Sequence, residues 1–105
     1  MITVEFLGKA PIFGFHITGH SDMNPEGPEI LCAAVSSAAY MTANTVTDIA
    51  GLDPELQVDD GDMYLKLKTV DEAQLCGLIF NGLELHMSSL AEQYPKYLKV
   101  KYSEV

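Results

Sequence analysis

His20 and Cys32 are the two side chains in this sequence whose types and spacing suit covalent chemistry. A thiol is a weak nucleophile and a thiolate a strong one, and a neighbouring imidazole or the positive end of a helix favours the thiolate. Gly19-His20 closes what reads as a strand, and Asn24-Pro25-Glu26-Gly27-Pro28 marks a loop. Cys32 then falls in the first turns of a helix. Strand end, short loop and helix start together bring a thiol beside an imidazole, the arrangement of a cysteine hydrolase. In such a site His20 takes the thiol proton and returns it to the leaving amine. Unpaired N–H groups at the helix start hold the oxyanion. Asp22 and Glu29 are both candidates to orient His20, and nothing in the spacing chooses between them. Ser36 is one helical turn past Cys32, within reach of the same site.

Each of these residues also has a plainer reading. A lone cysteine in an apolar helix is usually a small buried hydrophobe. A histidine at a strand end often bonds only to backbone. Asp22 reads equally as a solvated loop acid, Glu29 as an acid favouring the helix dipole, and Ser36 as a close-packing residue. If Pro28 is the first helical residue, Cys32 sits a full turn in, where the dipole has faded. Cys76 lies on an apolar helical stripe and reads as core filler; His16 and His86 read as structural or surface groups. A zinc site would have to recruit His16, His20, Asp22 and Cys32, without any of the paired short spacings such sites use. A redox sensor lacks a nearby resolving cysteine. No metal or cofactor is expected.

The elements that must position the pair follow from pattern. Ile2, Val4 and Phe6 alternate with Thr3 and Glu5 in a first strand, 2–8, and Gly8-Lys9-Ala10-Pro11 turns the chain. A second strand, 12–19, sets Phe13, Phe15 and Ile17 on one face and His16, Thr18 and His20 on the other. After the loop 21–28, a helix runs from about Glu29 to Ala50 and stops at Gly51. Its apolar stripe is Leu31, Val35, Ala38, Val46 and Ile49, among many small residues. Strands 56–60 and 62–69 form a hairpin turned at Asp60-Gly61. Asp71 is the expected N-cap of a second helix, 72–93, with Cys76, Ile79, Phe80, Leu83, Met87 and Leu90 on one face. A last strand, 97–103, closes the order ββαββαβ. These elements predict a single α+β domain, 1–105, with two helices packed on a largely antiparallel sheet.

Composition sets limits on function. A chain of 105 residues that is 48% hydrophobic can bury a core without disulfide or metal staples. No apolar run approaches the ~20 residues of a membrane span. The opening residues alternate like a strand and lack the basic region of a signal peptide, so a reducing cytoplasm and free thiols are expected. Formal net charge is −9 and all six basic residues are lysines, which excludes direct nucleic-acid binding as the first expectation. An acidic surface suits a basic protein or peptide as partner, and equally serves solubility.

Taken together, Gly19-His20 and Gly27-Pro28-Glu29-Ile30-Leu31-Cys32-Ala33-Ala34-Val35-Ser36 resemble the motif of the bacterial ribosomal-processing cysteine proteases. That motif is a Gly-His pair, a loop, and Gly-x-Asp-Ile-Val-Cys-Ala-Ala-Val-Ser. The similarity extends to the Met1-Ile2-Thr3-Val4 opening, the Asp-Gly hairpin and Asp71-Glu72-Ala73-Gln74-Leu75. Glu29 stands where the motif has Asp, and Leu31 replaces Val. The resemblance implies an α+β homodimer with a Cys32/His20 dyad, supported by Gly19, Glu29 and Ser36. It also implies removal of a short N-terminal extension from a large-subunit ribosomal protein. The competing expectation is a non-catalytic ribosome-associated binding protein, in which Cys32 is merely packed.

Overall fold

The computed structural model describes residues 1–19 and 28–105, and of Pro28 and Glu29 the backbone alone. The expectations for residues 21–27 of the loop, and for His20 on the polar face of its strand, lie outside the described residues, while Pro28, expected as the loop's last residue, opens the first helix. Within them, β1 (Ile2–Leu7) pairs antiparallel with β2 (Gly14–Thr18), setting Val4 opposite Ile17 and Phe6 opposite Phe15. The hairpin of β3 (Glu55–Asp59) and β4 (Asp62–Lys66) turns at Asp60-Gly61 as expected, and β4 pairs antiparallel with β2. The turn demands a backbone that Gly61 supplies at φ +71°. β5 (Leu98–Ser103) returns beside β1 in parallel, giving the sheet order β3-β4-β2-β1-β5. Three antiparallel pairings and one parallel pairing make the α+β sheet largely antiparallel.

Alternation sorts the two faces of the sheet. Ile2, Val4, Phe6, Phe15, Ile17, Met63 and Leu65 are buried, while Thr3, Glu5, His16, Thr18 and Tyr64 on the other face stay partly open. The helices supply the other half of the core: Leu31 and Val35 from α1 (Pro28–Asn44), Phe80, Leu83 and Met87 from α3 (Gly77–Gln93). Each such side chain contributes about 1.5–3 kcal/mol by leaving water.

Two helical expectations need correction. The first helix does not stay α-helical to its end: α1 gives way to a π-helical turn, Thr45–Ile49, before Gly51. The Ala50 N–H donates to the Thr45 carbonyl at 2.8 Å, a five-residue step. Thr42, Thr45 and Thr47 donate their hydroxyls to the carbonyls of Ala38, Met41 and Ala43, and this back-bonding loosens the α-helical ladder where the turn widens. The wider turn shifts the stripe. Val46 stays buried, but Ile49, expected on the core face, is 81% exposed.

The second helix is divided rather than continuous: α2 (Val70–Leu75) and α3 meet at Cys76, whose φ −91° and ψ 8° leave the helical region. Gly77, a weak helix former, follows directly. The N-cap is Thr69, not Asp71; the Thr69 hydroxyl accepts the Glu72 N–H at 3.1 Å, and the Glu72 carboxylate accepts the Lys68 N–H at 3.1 Å. That Thr-x-x-Glu pattern is a capping-box signature, and it outcompetes an Asp two residues later.

One compositional expectation also changes. Ile30–Ile49 is a 20-residue helical stretch of mean hydropathy 1.2, long and apolar enough to cross a membrane. Its Leu31, Val35, Ala39, Ala43 and Val46 are nonetheless buried within the fold. It is the core helix of the domain.

Candidate active site

The end of β2 is fixed from two sides. Gly19 donates its N–H to the Gly61 carbonyl at 2.9 Å, tying the strand end to the second hairpin turn. Its φ is +91°, and a Cβ placed there would lie 2.2 Å from the Met1 carbonyl oxygen. No other residue type fits that position without displacing the start of β1. The chain therefore enters His20 from an immobilised glycine, although His20 itself lies outside the described residues.

Cys32 stands on the flank of α1, half-buried, between the fully buried Leu31 and the exposed Ala33. Helical spacing puts Cys32, Ser36 and Tyr40 in one row. All three line a cavity of about 170 Å³, whose floor includes Ile2, Ile17, Val35 and Met63. Gly19 lines it too, as do Val58 and the Asp59–Asp62 turn. Three residues singled out from the sequence, Gly19, Cys32 and Ser36, thus converge on one cavity. The Glu29 backbone lies in the first turn of α1, whereas Asp22 and Gly27 fall outside the described residues.

Because α1 begins at Pro28, Cys32 is its fifth residue. With Pro28 lacking an N–H, helix geometry leaves the N–H groups of Glu29 and Ile30 without an intrahelical acceptor among the described residues. They, rather than the Cys32 amide, are the donors available to an oxyanion. The dipole itself adds little a full turn in.

The hairpin turn brings acid to the cavity. Among the described residues Asp59 and Asp60 have no ion pair, and Asp62 accepts from His16 Nε2 at 2.8 Å. His16 Nδ1 lies 3.9 Å from Glu5, and its ring meets Tyr64 edge-on, so His16 serves the outer sheet face, as its strand position indicated. His86 is exposed. Among the described residues no three of His, Cys, Asp and Glu gather as metal ligands. Cys76 is buried in the core cluster; burial pushes its thiol up from the ordinary value, and Glu72 pushes it the same way.

Tyr40, Val58 and the three aspartates were not anticipated as neighbours of Cys32. Tyr40 was legible as the next step of the Cys32–Ser36 row. The hairpin residues reach the cavity only through β2–β4 pairing, which carries no local signal.

A strand-end glycine followed in sequence by a histidine, and a helix presenting a cysteine to a cavity, fit the class of cysteine hydrolases built on an α+β sheet. The chain belongs to the cysteine protease Prp family, whose model matches residues 1–99, and it is a cysteine protease. Two ribosomal processing cysteine proteases Prp are similar to it. The Staphylococcus aureus protein is 26% identical over 105 residues, covering 96% of this chain and 94% of the relative. The Bacillus subtilis protein is 29% identical over 94 residues, covering 85% and 84%. The fold is that of the S. aureus protease solved with a covalently linked product peptide, at TM-score 0.81, 23% identity, and coverage of 98% of this chain and 100% of that one.

Proposed function

We propose that this protease removes a short N-terminal extension from a large-subunit ribosomal protein, with Cys32 as nucleophile and His20 as general acid and base. The observation that carries the reading is the position of Cys32, half-buried on α1 at a cavity shared with Gly19, the residue before His20. His20 takes the Cys32 proton, and the thiolate attacks the scissile carbonyl. The oxyanion is held by free N–H groups of the first turn of α1, while Gly19, Glu29 and Ser36 support the site and Asp22 or Glu29 orients the imidazole. The imidazolium then protonates the departing amine, leaving an acyl thioester. Water, deprotonated by His20, releases the second product and restores the thiol.

The substrate assignment is supported by the relatives' description as ribosomal processing enzymes and by the net charge of −9, which attracts basic ribosomal proteins. The protein works as a cytoplasmic homodimer under this reading. The test is cleavage of a peptide spanning the N-terminus of the host's own ribosomal protein. Wild type should cut it at one bond, while Cys32→Ala and His20→Ala should each lose about 10⁴-fold or more in kcat/KM with an unchanged melting temperature. A Cys32→Ala protein that still cuts would overturn the assignment, and sedimentation of the same samples reads the dimer.

A further inference from the structure

β3 lies at the edge of the sheet, and all five of its residues are exposed. The two-residue turn makes Asp59 and Asp62 a hydrogen-bonded pair, and by alternation Gln57 and Glu55 also bond toward β4. The N–H and C=O groups of Leu56 and Val58 consequently point to the open edge, where no further strand stands among the described residues. The side chains of Leu56 and Val58 share the helix-side face with their buried partners Leu65 and Met63. Yet they are 43% and 44% exposed, because the helices cover the inner strands and leave β3 open. This is an unfinished sheet: open backbone donors and acceptors, and an uncovered apolar shelf.

We propose that β3 is the docking edge for the substrate, and that an extended segment of the peptide adds to the sheet as a sixth strand beside it. The inference rests on the protease reading above and specifies how that substrate is held. Val58 and Asp59 belong both to the edge strand and to the Cys32 cavity, so a strand laid on β3 runs into the site. Backbone pairing supplies affinity that is largely independent of sequence, and alternate side chains supply selectivity. Residues 53–62 contain Asp53, Glu55, Asp59, Asp60 and Asp62 and no basic residue. Asp53 already faces Lys68 at 3.6 Å and Asp62 faces His16, so the segment that fits is one whose apolar side chains cover Leu56 and Val58 and whose lysines or arginines meet Glu55, Asp59 and Asp60.

A second copy of this chain fits poorly. Antiparallel pairing of two β3 strands about Gln57 sets Glu55 opposite Asp59 twice, and directly opposed like charges are destabilising. The acids thus protect an exposed edge from self-association while favouring a basic strand.

Backbone N-methylation of the substrate peptide, one amide at a time, tests the pairing, with KM and kcat read for each peptide on the wild-type protein. N-methylation at alternate residues on one flank of the scissile bond should raise KM about tenfold, and at the residues between them by less than about twofold. The Asp59→Asn, Asp60→Asn double variant should raise KM for a lysine-bearing peptide about fivefold more than it raises KM for the norleucine counterpart. Uniform sensitivity along the peptide, or sensitivity confined to the scissile amide, would overturn the proposal, as would edge-to-edge dimers broken by Val58→Pro. If the unmodified peptide is not cut, the substrate assignment fails separately. The same series is then read by fluorescence anisotropy, where lack of binding or lack of alternation overturns strand addition as well.

Discussion

Cys32 and Cys76 are the same residue type, each on or beside a helix of the same core, in opposite surroundings. Cys32 is half-buried and lines a cavity with hydroxyls and carboxylates around it. Cys76 is 3% exposed at the junction of α2 and α3, within the apolar cluster, with its thiol pushed up first by burial and then by Glu72. A thiolate at Cys76 would lose its hydration and face a carboxylate, so it stays a packed thiol. What separates the proposed nucleophile from the packed thiol is therefore placement. One sulfur sits where a peptide can reach it, and the other sits where its ionised form has no solvent.

The largest test of that contrast is alkylation. With iodoacetamide near neutral pH, Cys32 should label at least about 10²-fold faster than Cys76, read site by site by mass spectrometry. Comparable rates would erase the distinction. The raised Cys76 value carries a pH consequence with a definite sign. A thiol whose folded value lies above its unfolded one loses its proton more readily in the unfolded chain. Its contribution to stability is complete below the ordinary value of 9.0 and is lost as pH climbs through the raised one. Cys76→Ala should accordingly flatten part of the loss of stability above about pH 9, read from melting temperatures across that range.

Gly19→Ala attacks the surroundings of Cys32 without touching its sulfur. The φ of +91° and the 2.2 Å approach of the added Cβ to the Met1 carbonyl oxygen force β1 and β2 apart at the entry to His20. A cost of about 2–4 kcal/mol is expected, seen as a fall in melting temperature of roughly 10 °C or more. Peptide cleavage at a temperature where the variant is still folded should fall as well, since the strand end leading into the proposed base is displaced. A variant with wild-type stability would mean that the strand end is not held as described.

Much of this molecule was legible in its sequence, because much of it is local. The alternation in β1, β2 and β4, the Asp60-Gly61 turn, the stop at Gly51 and the apolar face from Cys76 to Leu90 each follow from a few neighbouring residues. The row Cys32–Ser36 was also readable, since helical spacing alone places it. What was not legible depends on competition or distance. Asp71 and Thr69 are both acceptable caps, and only the Glu72 interaction decides between them. Ile49 looked like a core residue until threonine hydroxyls opened a π turn beneath it. The aspartates facing Cys32 arrive through pairing between strands far apart in sequence.

That competition between caps gives the smallest and sharpest test of the cysteine contrast. Thr69 closes the start of α2, the short helix that leads directly into Cys76. Thr69→Ala removes the acceptor for the Glu72 N–H and should cost about 1 kcal/mol, while Asp71→Ala, which loses only an exposed acid near the helix start, should cost about 0.3 kcal/mol. A six-residue helix deprived of its cap frays, and fraying at α2 exposes the sulfur at its far end. Thr69→Ala should thus raise the alkylation rate of Cys76 about fivefold, in step with the lost stability, and leave that of Cys32 unchanged. A Cys76 rate left unchanged by Thr69→Ala would mean that Cys76 is protected by the rest of the fold rather than by the helix junction that buries it.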